Sequence, residues 1–230
     1  MVKSLKKMWP SKLPLVCMVT DRRRLSSKVG SDDISALEAL VAEAVKSGVD
    51  LLQIRELGLS DRLLAEVVSR AVTAAQGSGT KIVVNDRVDI AVTAGAHGVH
   101  LKEASMPTER IKAIVPQSCF IGRSVHSVAE AERANGSGAV DYVMAGTVFS
   151  TRSKPGCKLI GLEGLRAIVS TVDIPVIAIG GVSIIRAREV IETGAAGVAA
   201  FDEFTLSGKN LSTVVDGFRQ EFKKAGVKLV

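Results

Sequence analysis

Short apolar runs alternate along the chain with longer segments whose apolar residues recur every three or four positions. The runs are Leu15–Val19, Asp50–Ile54, Lys81–Val84, Gly98–Leu101, Cys119–Ile121, Asp141–Ala145, Val176–Ile179 and Gly197–Phe201. They are β-branched and continuous rather than alternating, the signature of strands covered on both faces. Between and after them lie helical patterns over Ser35–Ser47, Asp61–Gln76, Val88–Ala94, Thr108–Val115, Val128–Asn135, Gly164–Ser170, Ile184–Thr193 and Leu211–Ala225. In the first, Ala36, Leu37, Leu40, Val41, Ala44 and Val45 mark one face of a 3.6-residue period. Ser35-Ala36-Leu37-Glu38 and Ser127-Val128-Ala129-Glu130 read as capping boxes.

A phrase recurs at the helix-to-strand joints: Ser47-Gly48-Val49-Asp50, Ala94-Gly95-Ala96-His97, Ser137-Gly138-Ala139-Val140-Asp141 and Thr193-Gly194-Ala195-Ala196. A Gly just past a helix end supplies the left-handed residue that stops the helix and turns the chain into the next strand. Eight β-then-α units with one repeated joint predict an α/β fold, a single (β/α)8 TIM barrel. The first strand runs into Thr20-Asp21-Arg22-Arg23, so the GxGxxG turn of a doubly wound dinucleotide-binding sheet is absent.

Composition narrows the class. The 230 residues are 47% hydrophobic, 23% charged and 3% aromatic, too apolar for a disordered chain and too charged for a membrane bundle. One barrel accommodates this length, and no Pro-rich or low-complexity linker divides it. The expected division is a basic N-terminal arm over 1–12 and a barrel domain over 13–230. No apolar run approaches the ~20 residues needed to span a bilayer, and Leu15–Val19 is too short for a secretion signal. Cys17, Cys119 and Cys157 form neither a disulfide framework nor a CxxC pair; Cys17 and Cys119 read as small buried hydrophobes, and a reducing cytoplasm is the expected location. The formal charge of +6 is mild, and Arg22-Arg23-Arg24 has no interleaved aromatic residues. A small anionic ligand is expected, with no nucleic acid and no membrane partner. The Arg cluster reads equally as a solvated loop or as part of a ligand site.

In such a barrel the active site lies at the C-terminal ends of the strands. Polar residues just past each strand are Thr20-Asp21-Arg22, Gln53 to Glu56, Asn85-Asp86-Arg87, His100 with Lys102-Glu103, Arg123 to His126, Gly146 to Lys154, Gly180-Gly181-Val182-Ser183 and Asp202-Glu203. Gly180-Gly181 lets backbone N–H groups approach phosphate oxygens, and the Thr151/Ser153/Lys154 loop faces it. Gln53 and Arg55 alternate with Ile54, so both face the mouth; Arg grips a carboxylate or phosphate with a two-pronged fork. Asn85-Asp86 has two readings, oxygen ligands for Mg²⁺ or a cap for the helix near Val88. His97 falls at the wrong end of the barrel and His100 reads as a packed core imidazole. His126 has two readings, a proton-transfer group or a residue of the capping region.

These motifs, with Gly98-Val99-His100-Leu101, Ser124-Val125-His126-Ser127, Asp141-Tyr142, Gly146 to Thr151, Lys154 and Ile179-Gly180-Gly181-Val182, stand in an order that resembles the thiamin phosphate synthase/TenI superfamily from about Leu15 to Phe201. The resemblance implies the same (β/α)8 fold and one of two activities. Synthases join a pyrimidine diphosphate to a thiazole phosphate with Mg²⁺. TenI-type tautomerases aromatise thiazole phosphate carboxylate by a 1,3-proton shift without metal. Synthases read Gln-x-Arg-x-Lys after strand 2, where this chain has Leu57. After strand 4 they carry an acidic metal ligand, where this chain has Ser105.

Losing a cation and a carboxylate points to the tautomerase. In that reading His126 relays the proton and Gly180-Gly181 holds the phosphate. Gln53, Arg55, Asn85, Ser124, Thr151 and Lys154 bind the phosphorylated thiazole, and no metal or cofactor is needed. The alternatives are a synthase in which Asp86 and Glu103 hold Mg²⁺, or a non-catalytic phosphate-binding regulatory barrel. The resemblance also implies a homo-oligomer, a dimer.

Overall fold

The computed structural model describes residues 14–25, 33–152, 155–206, 208 and 210–226. The arm expected over 1–12 lies outside them, as do Ser153 and Lys154. Eight parallel strands close into one barrel in chain order, with β8 hydrogen-bonded back to β1. They are β1 (Leu15–Val19), β2 (Leu51–Ile54), β3 (Lys81–Asn85), β4 (Gly98–Leu101), β5 (Phe120–Val125), β6 (Tyr142–Ala145), β7 (Val176–Ile179) and β8 (Gly197–Ala200). Helices α1 (Asp33–Lys46), α2 (Asp61–Ala74), α3 (Val88–Thr93), α4 (Thr108–Lys112), α5 (Val128–Gly136), α6 (Gly161–Thr171) and α7 (Ile184–Ile191) follow β1 to β7. After β8 come a short α8 (Asp202–Thr205) and α9 (Leu211–Lys224). The expected (β/α)8 barrel is present.

The repeated joint works as its glycines imply. Gly48, Gly95, Gly138 and Gly194 have φ of 79°, 69°, 63° and 92°. The residue that closes the phrase has a second task. An Asp50 oxygen accepts the Val16 N–H at 2.7 Å, His97 Nδ1 accepts that of Ile82 at 3.1 Å, and an Asp141 oxygen accepts that of Ile121 at 2.8 Å. These three joints thus tie the start of their strand to the strand before it; the fourth phrase closes on Ala196, which has no side-chain acceptor. Asp50 also pairs with Arg219 of α9, whose Nη1 donates to the Pro14 carbonyl at 2.7 Å. That interaction seals the barrel floor. As expected, His97 is structural.

Strand pleating sorts the apolar residues into two cores. Leu15, Cys17, Leu51, Val83, Tyr142, Met144, Ile177 and Ala199 fill the lumen. Their strand neighbours, such as Val16, Leu52, Val84, Val143, Ala178 and Val198, pack outward against the helices. Cys17 and Cys119 are buried and free. Gly122 makes room for Tyr142: a Cβ there would run into the Tyr142 ring.

Two local expectations are corrected. Strand β5 runs to Val125 rather than ending at Ile121; its Arg123 and Ser124 look like loop residues because one turns out to a loop and the other into a polar lumen. Helix α1 starts at Asp33, so Ser35 lies inside it and forms no N-cap box; Glu38 pairs with Arg70 of α2 at 2.6 Å. The Ser127 cap stands, its Oγ accepting the Glu130 N–H at 3.3 Å.

Replacing Asp50 by Ala leaves the Arg219 guanidinium and the Val16 N–H without their buried acceptor. Asp50→Ala is expected to cost roughly 3–5 kcal/mol, read as a lower urea midpoint. A loss below about 1 kcal/mol, the range of an exposed ion pair, would show that the floor does not depend on this pair.

Candidate active site

The inward parity of the pleat carries polar residues into the lumen above the apolar layer. Gln53 follows Leu51, Asn85 follows Val83, and His100 and Ser124 enter from β4 and β5. All four line a cavity of about 850 Å³ at the C-terminal mouth, joined there by Arg55, His126, Thr151, Gly180 and Gly181. Lys154 lies outside the described residues. Gln53 Nε2 donates to Asn85 Oδ1 at 3.1 Å. Each amide keeps a second group, an acceptor on Gln53 and a donor on Asn85.

His100 is buried between the Tyr142 hydroxyl, 3.1 Å from Nδ1, and the Ser124 hydroxyl, 2.9 Å from Nε2. Burial lowers its pKa to about 3, against a small opposing pull from Asp86, so the ring is neutral at physiological pH. Its role is to hold Ser124 on the cavity wall. His126 stands one residue past β5 on that wall, and its Nδ1 lies 3.2 Å from Glu130 Oε2. The same carboxylate accepts the His126 N–H at 2.7 Å, so Glu130 anchors both ring and backbone.

On the far side, Gly180 and Gly181 have φ of 99° and 62°. A Cβ at Gly180 would collide with Thr147, and one at Gly181 with the Ser150 carbonyl. The turn is laced to the β6 loop by Val148 N–H to the Ile179 carbonyl at 3.0 Å and Phe149 N–H to the Gly180 carbonyl at 2.9 Å. Arg186 of α7 donates to the Gly181 carbonyl at 2.9 Å and stacks 4.5 Å from the Phe149 ring centre. The glycines are required by the close passage of two loops, and they leave bare backbone at the mouth.

Five basic side chains, Arg23, Arg24, Arg55, Lys102 and Arg152, outnumber the acidic Asp21, Glu103 and Asp202 on the described wall. The Arg cluster after β1 forms a 3₁₀ turn whose members diverge. Arg22 is turned from the cavity, its N–H donating to buried Glu56 at 2.9 Å and its guanidinium to Asp33 at 3.2 Å. Arg23 is held by Asp21 through two bonds of 3.0 and 3.2 Å. Arg24 meets Asp202 and stacks 4.4 Å from the Phe201 ring centre. The sequence left this cluster open between a solvated loop and a ligand site; Arg23 and Arg24 stand on the cavity wall and Arg22 does not. Arg123 leaves the mouth altogether, donating to the Glu103, Ser105 and Met106 carbonyls and to the Thr108 hydroxyl.

Asp86 does not cap the helix near Val88, and its carboxylate is held by neighbouring side chains. It has a φ of 65°, the one positive φ outside glycine among the described residues, a conformation that costs of order 1–3 kcal/mol. The N-cap of α3 is Arg87. One oxygen accepts from the Lys102 ammonium at 2.7 Å and the other from the Ser105 hydroxyl. Burial alone would raise its pKa, but these partners hold it below the usual carboxylate range. The carboxylate is not on the cavity wall; Lys102 is. No three His, Cys, Asp or Glu side chains among the described residues gather into a metal-holding group. With one Asp86 oxygen on the Lys102 ammonium and the other on the Ser105 hydroxyl, the carboxylate as arranged does not offer the free oxygens that a Mg²⁺ centre at Asp86 and Glu103 would need.

The family model for thiamine monophosphate synthase matches residues 17–204. The chain belongs to that family. A thiamine-phosphate synthase of Caldanaerobacter subterraneus is 38% identical over 213 residues, covering 90% of this chain and 95% of the relative. One from Pyrococcus furiosus is 41% identical over 182 residues, covering 79% and 82%. The solved thiamine phosphate pyrophosphorylase from Pyrococcus furiosus superposes with a TM-score of 0.78 at 33% identity, covering 92% of this chain and 97% of that one.

These matches overturn the expectation of a thiazole tautomerase. That expectation rested on a cation lost at Leu57 and a carboxylate lost at Ser105. The physical reason it fails is that positive charge reaches the mouth of this family member from other positions, on the loops after β1, β4 and β6. No helix of the described residues is long and apolar enough to cross a membrane.

His100 gives a pH dependence. With its folded pKa near 3 and an unfolded value of about 6.5, the unfolded chain binds more protons between those limits. Stability should fall as pH drops from 6.5, by up to about 1.4 kcal/mol per pH unit. Urea midpoints from pH 7 to 5 should fall more steeply for the native sequence than for His100→Asn. Parallel curves would show that the ring is not held neutral by the fold.

Proposed function

We propose that this protein is a thiamine-phosphate synthase, joining a phosphorylated thiazole to a pyrimidine diphosphate and releasing diphosphate. The observation that carries this reading is the two-sided mouth. Lumen amides and cations stand on the β2 to β4 side and a bare Gly-Gly turn on the β7 side, around a cavity of about 850 Å³. That volume lies toward the upper end of ordinary small-molecule sites, about 300–1,000 Å³, which suits two ligands held together.

In the reaction the thiazole ring nitrogen forms a bond to the methylene carbon of the pyrimidine. The bond from that carbon to the diphosphate oxygen breaks, and its electron pair leaves with the diphosphate. The thiazole becomes a thiazolium and no proton leaves carbon. Backbone N–H groups around Gly180 and Gly181, with Thr151 and Lys154, hold the thiazole phosphate. Gln53, Asn85 and Ser124 meet the polar edge of the pyrimidine. Arg55, backed by Arg23, stabilises the charge that accumulates on the leaving group; fixed cations act where charge develops. His126 serves as a hydrogen-bonding wall residue held by Glu130, since the coupling asks for no base. Bringing two bound reactants into register supplies most of the remaining acceleration.

Incubating the full chain with both substrates should yield thiamine phosphate and one equivalent of diphosphate. Arg55→Ala should lower kcat/KM by roughly 10²–10³, the range for removing one donor from a developing oxyanion, with an unchanged melting curve. Absence of product would overturn the proposed activity, and undiminished turnover in Arg55→Ala would overturn the role of that residue.

A further inference from the structure

Lys102 is the first residue past β4, and its position is set from several directions. Its ammonium donates to Asp86 Oδ2 at 2.7 Å, and its own backbone N–H donates to Ser105 Oγ at 2.9 Å. Ser105 in turn donates to the other Asp86 oxygen. Arg123 binds the carbonyls of Glu103, Ser105 and Met106, which fixes the loop that carries the lysine. The Lys102 side chain is 55% exposed, and an ammonium has three donors, of which Asp86 takes one. The carboxylate stays behind the wall while the cation stands on it.

The barrel order adds a direction. Strands β2, β3 and β4 are consecutive, so Arg55 and Lys102 flank the strand end from which Asn85 faces the lumen. In a ring of eight, β3 stands opposite β7 and its Gly180-Gly181 turn. The β2 to β4 side of the mouth thus offers Lys102, pinned by Asp86, and Arg55, 4.0 Å from Asp21, while the β7 side offers backbone amides with Arg152 nearby in the chain on the β6 loop.

We propose that Lys102 is a diphosphate-binding residue, a resident cation that takes up the Asp86 carboxylate and faces the ligand where the family resemblance would put a divalent metal. Two cations bracketing one strand end match the two phosphoryl groups of a diphosphate, and the backbone turn opposite matches a monophosphate. A lysine binds phosphate as a point charge, and one already pinned loses little freedom on binding. Asp86 and Ser105 are positioning residues that act through Lys102. The inference rests on the proposed synthase reading for the identity of its ligand, but not for its test.

The test is calorimetric titration of the full chain with inorganic diphosphate, in EDTA and in Mg²⁺. In EDTA the native sequence should bind, Lys102→Gln should bind about tenfold more weakly or worse, and Lys102→Arg should stay within about threefold of native. Asp86→Asn should also weaken binding in EDTA, by about threefold, an effect that a mere metal ligand would not show without metal. Thermal melts of each variant control for folding. Native binding only when Mg²⁺ is present, or Lys102→Gln binding as tightly as native, would overturn the proposal. If diphosphate binds as described but the two-substrate assay gives no product, the synthase reading falls and the lysine site stands.

Discussion

A closed parallel barrel depends on where each strand begins. The pleat alternates with a period of two, so a slip of one residue would exchange lumen and exterior along a whole strand. The start of a strand therefore decides which side chains reach the site at its end. In this protein the decision is made at the barrel floor. Asp50, His97 and Asp141 each accept a backbone N–H of the preceding strand, and the Gly two or three residues earlier turns the chain so that they can. With those starts set, Leu51 and Tyr142 point inward. Gln53 then follows Leu51 into the lumen two residues on. A bond at the floor thus determines what the mouth contains.

The lumen is the costly part of this arrangement, because polar groups buried without partners are penalised. Its polar layer is partnered within itself, with one amide group each on Gln53 and Asn85 left to face the cavity. Gln53 bonds Asn85, and His100 bridges Tyr142 and Ser124. The ring fits because Gly122 leaves space for Tyr142, and Tyr142 closes one ring nitrogen so that the other can aim Ser124 upward. The rim obeys the same economy with charges: Asp21 holds Arg23, Asp202 meets Arg24, and Asp86 holds Lys102. These pairs are partly exposed, and their contribution to stability is small. Their effect is to place cations before a ligand arrives.

Much of the barrel was legible because its signals are local. The Gly joint, the β-branched runs and the helical periods each report on a few neighbouring residues, and the expected strands fall within a residue or two of the observed ones except in β5. Parity was hidden, because strands covered on both faces are apolar on both. Only the polar residues at inward positions, Gln53, Asn85, His100 and Ser124, betray it. Long-range partners were hidden as well. Nothing near Asp86 announces that its carboxylate will meet Lys102, 16 residues away, and nothing near Arg123 shows that it faces a loop instead of the cavity. The Arg22–Arg24 turn splits because Glu56, 34 residues on, captures Arg22.

The error about activity has a related cause. Reading Leu57 and Ser105 as losses treats each loop position as the sole carrier of its charge. Coulomb attraction falls off slowly with distance, and within a half-screened mouth a cation several ångströms from a phosphate still acts on it. The loops after β1, β2, β4 and β6 all open onto one rim, so a positive charge missing from one is replaceable from another, as Arg23, Lys102 and Arg152 illustrate. Backbone shape does not move in this way. The Gly180-Gly181 turn works only where two loops pass too closely for any Cβ, and an amide in the lumen needs both the right strand and the right parity. Motifs of shape and parity are therefore the stronger guide to this family. Motifs of charge have to be summed over the whole rim before a missing residue counts as a missing function.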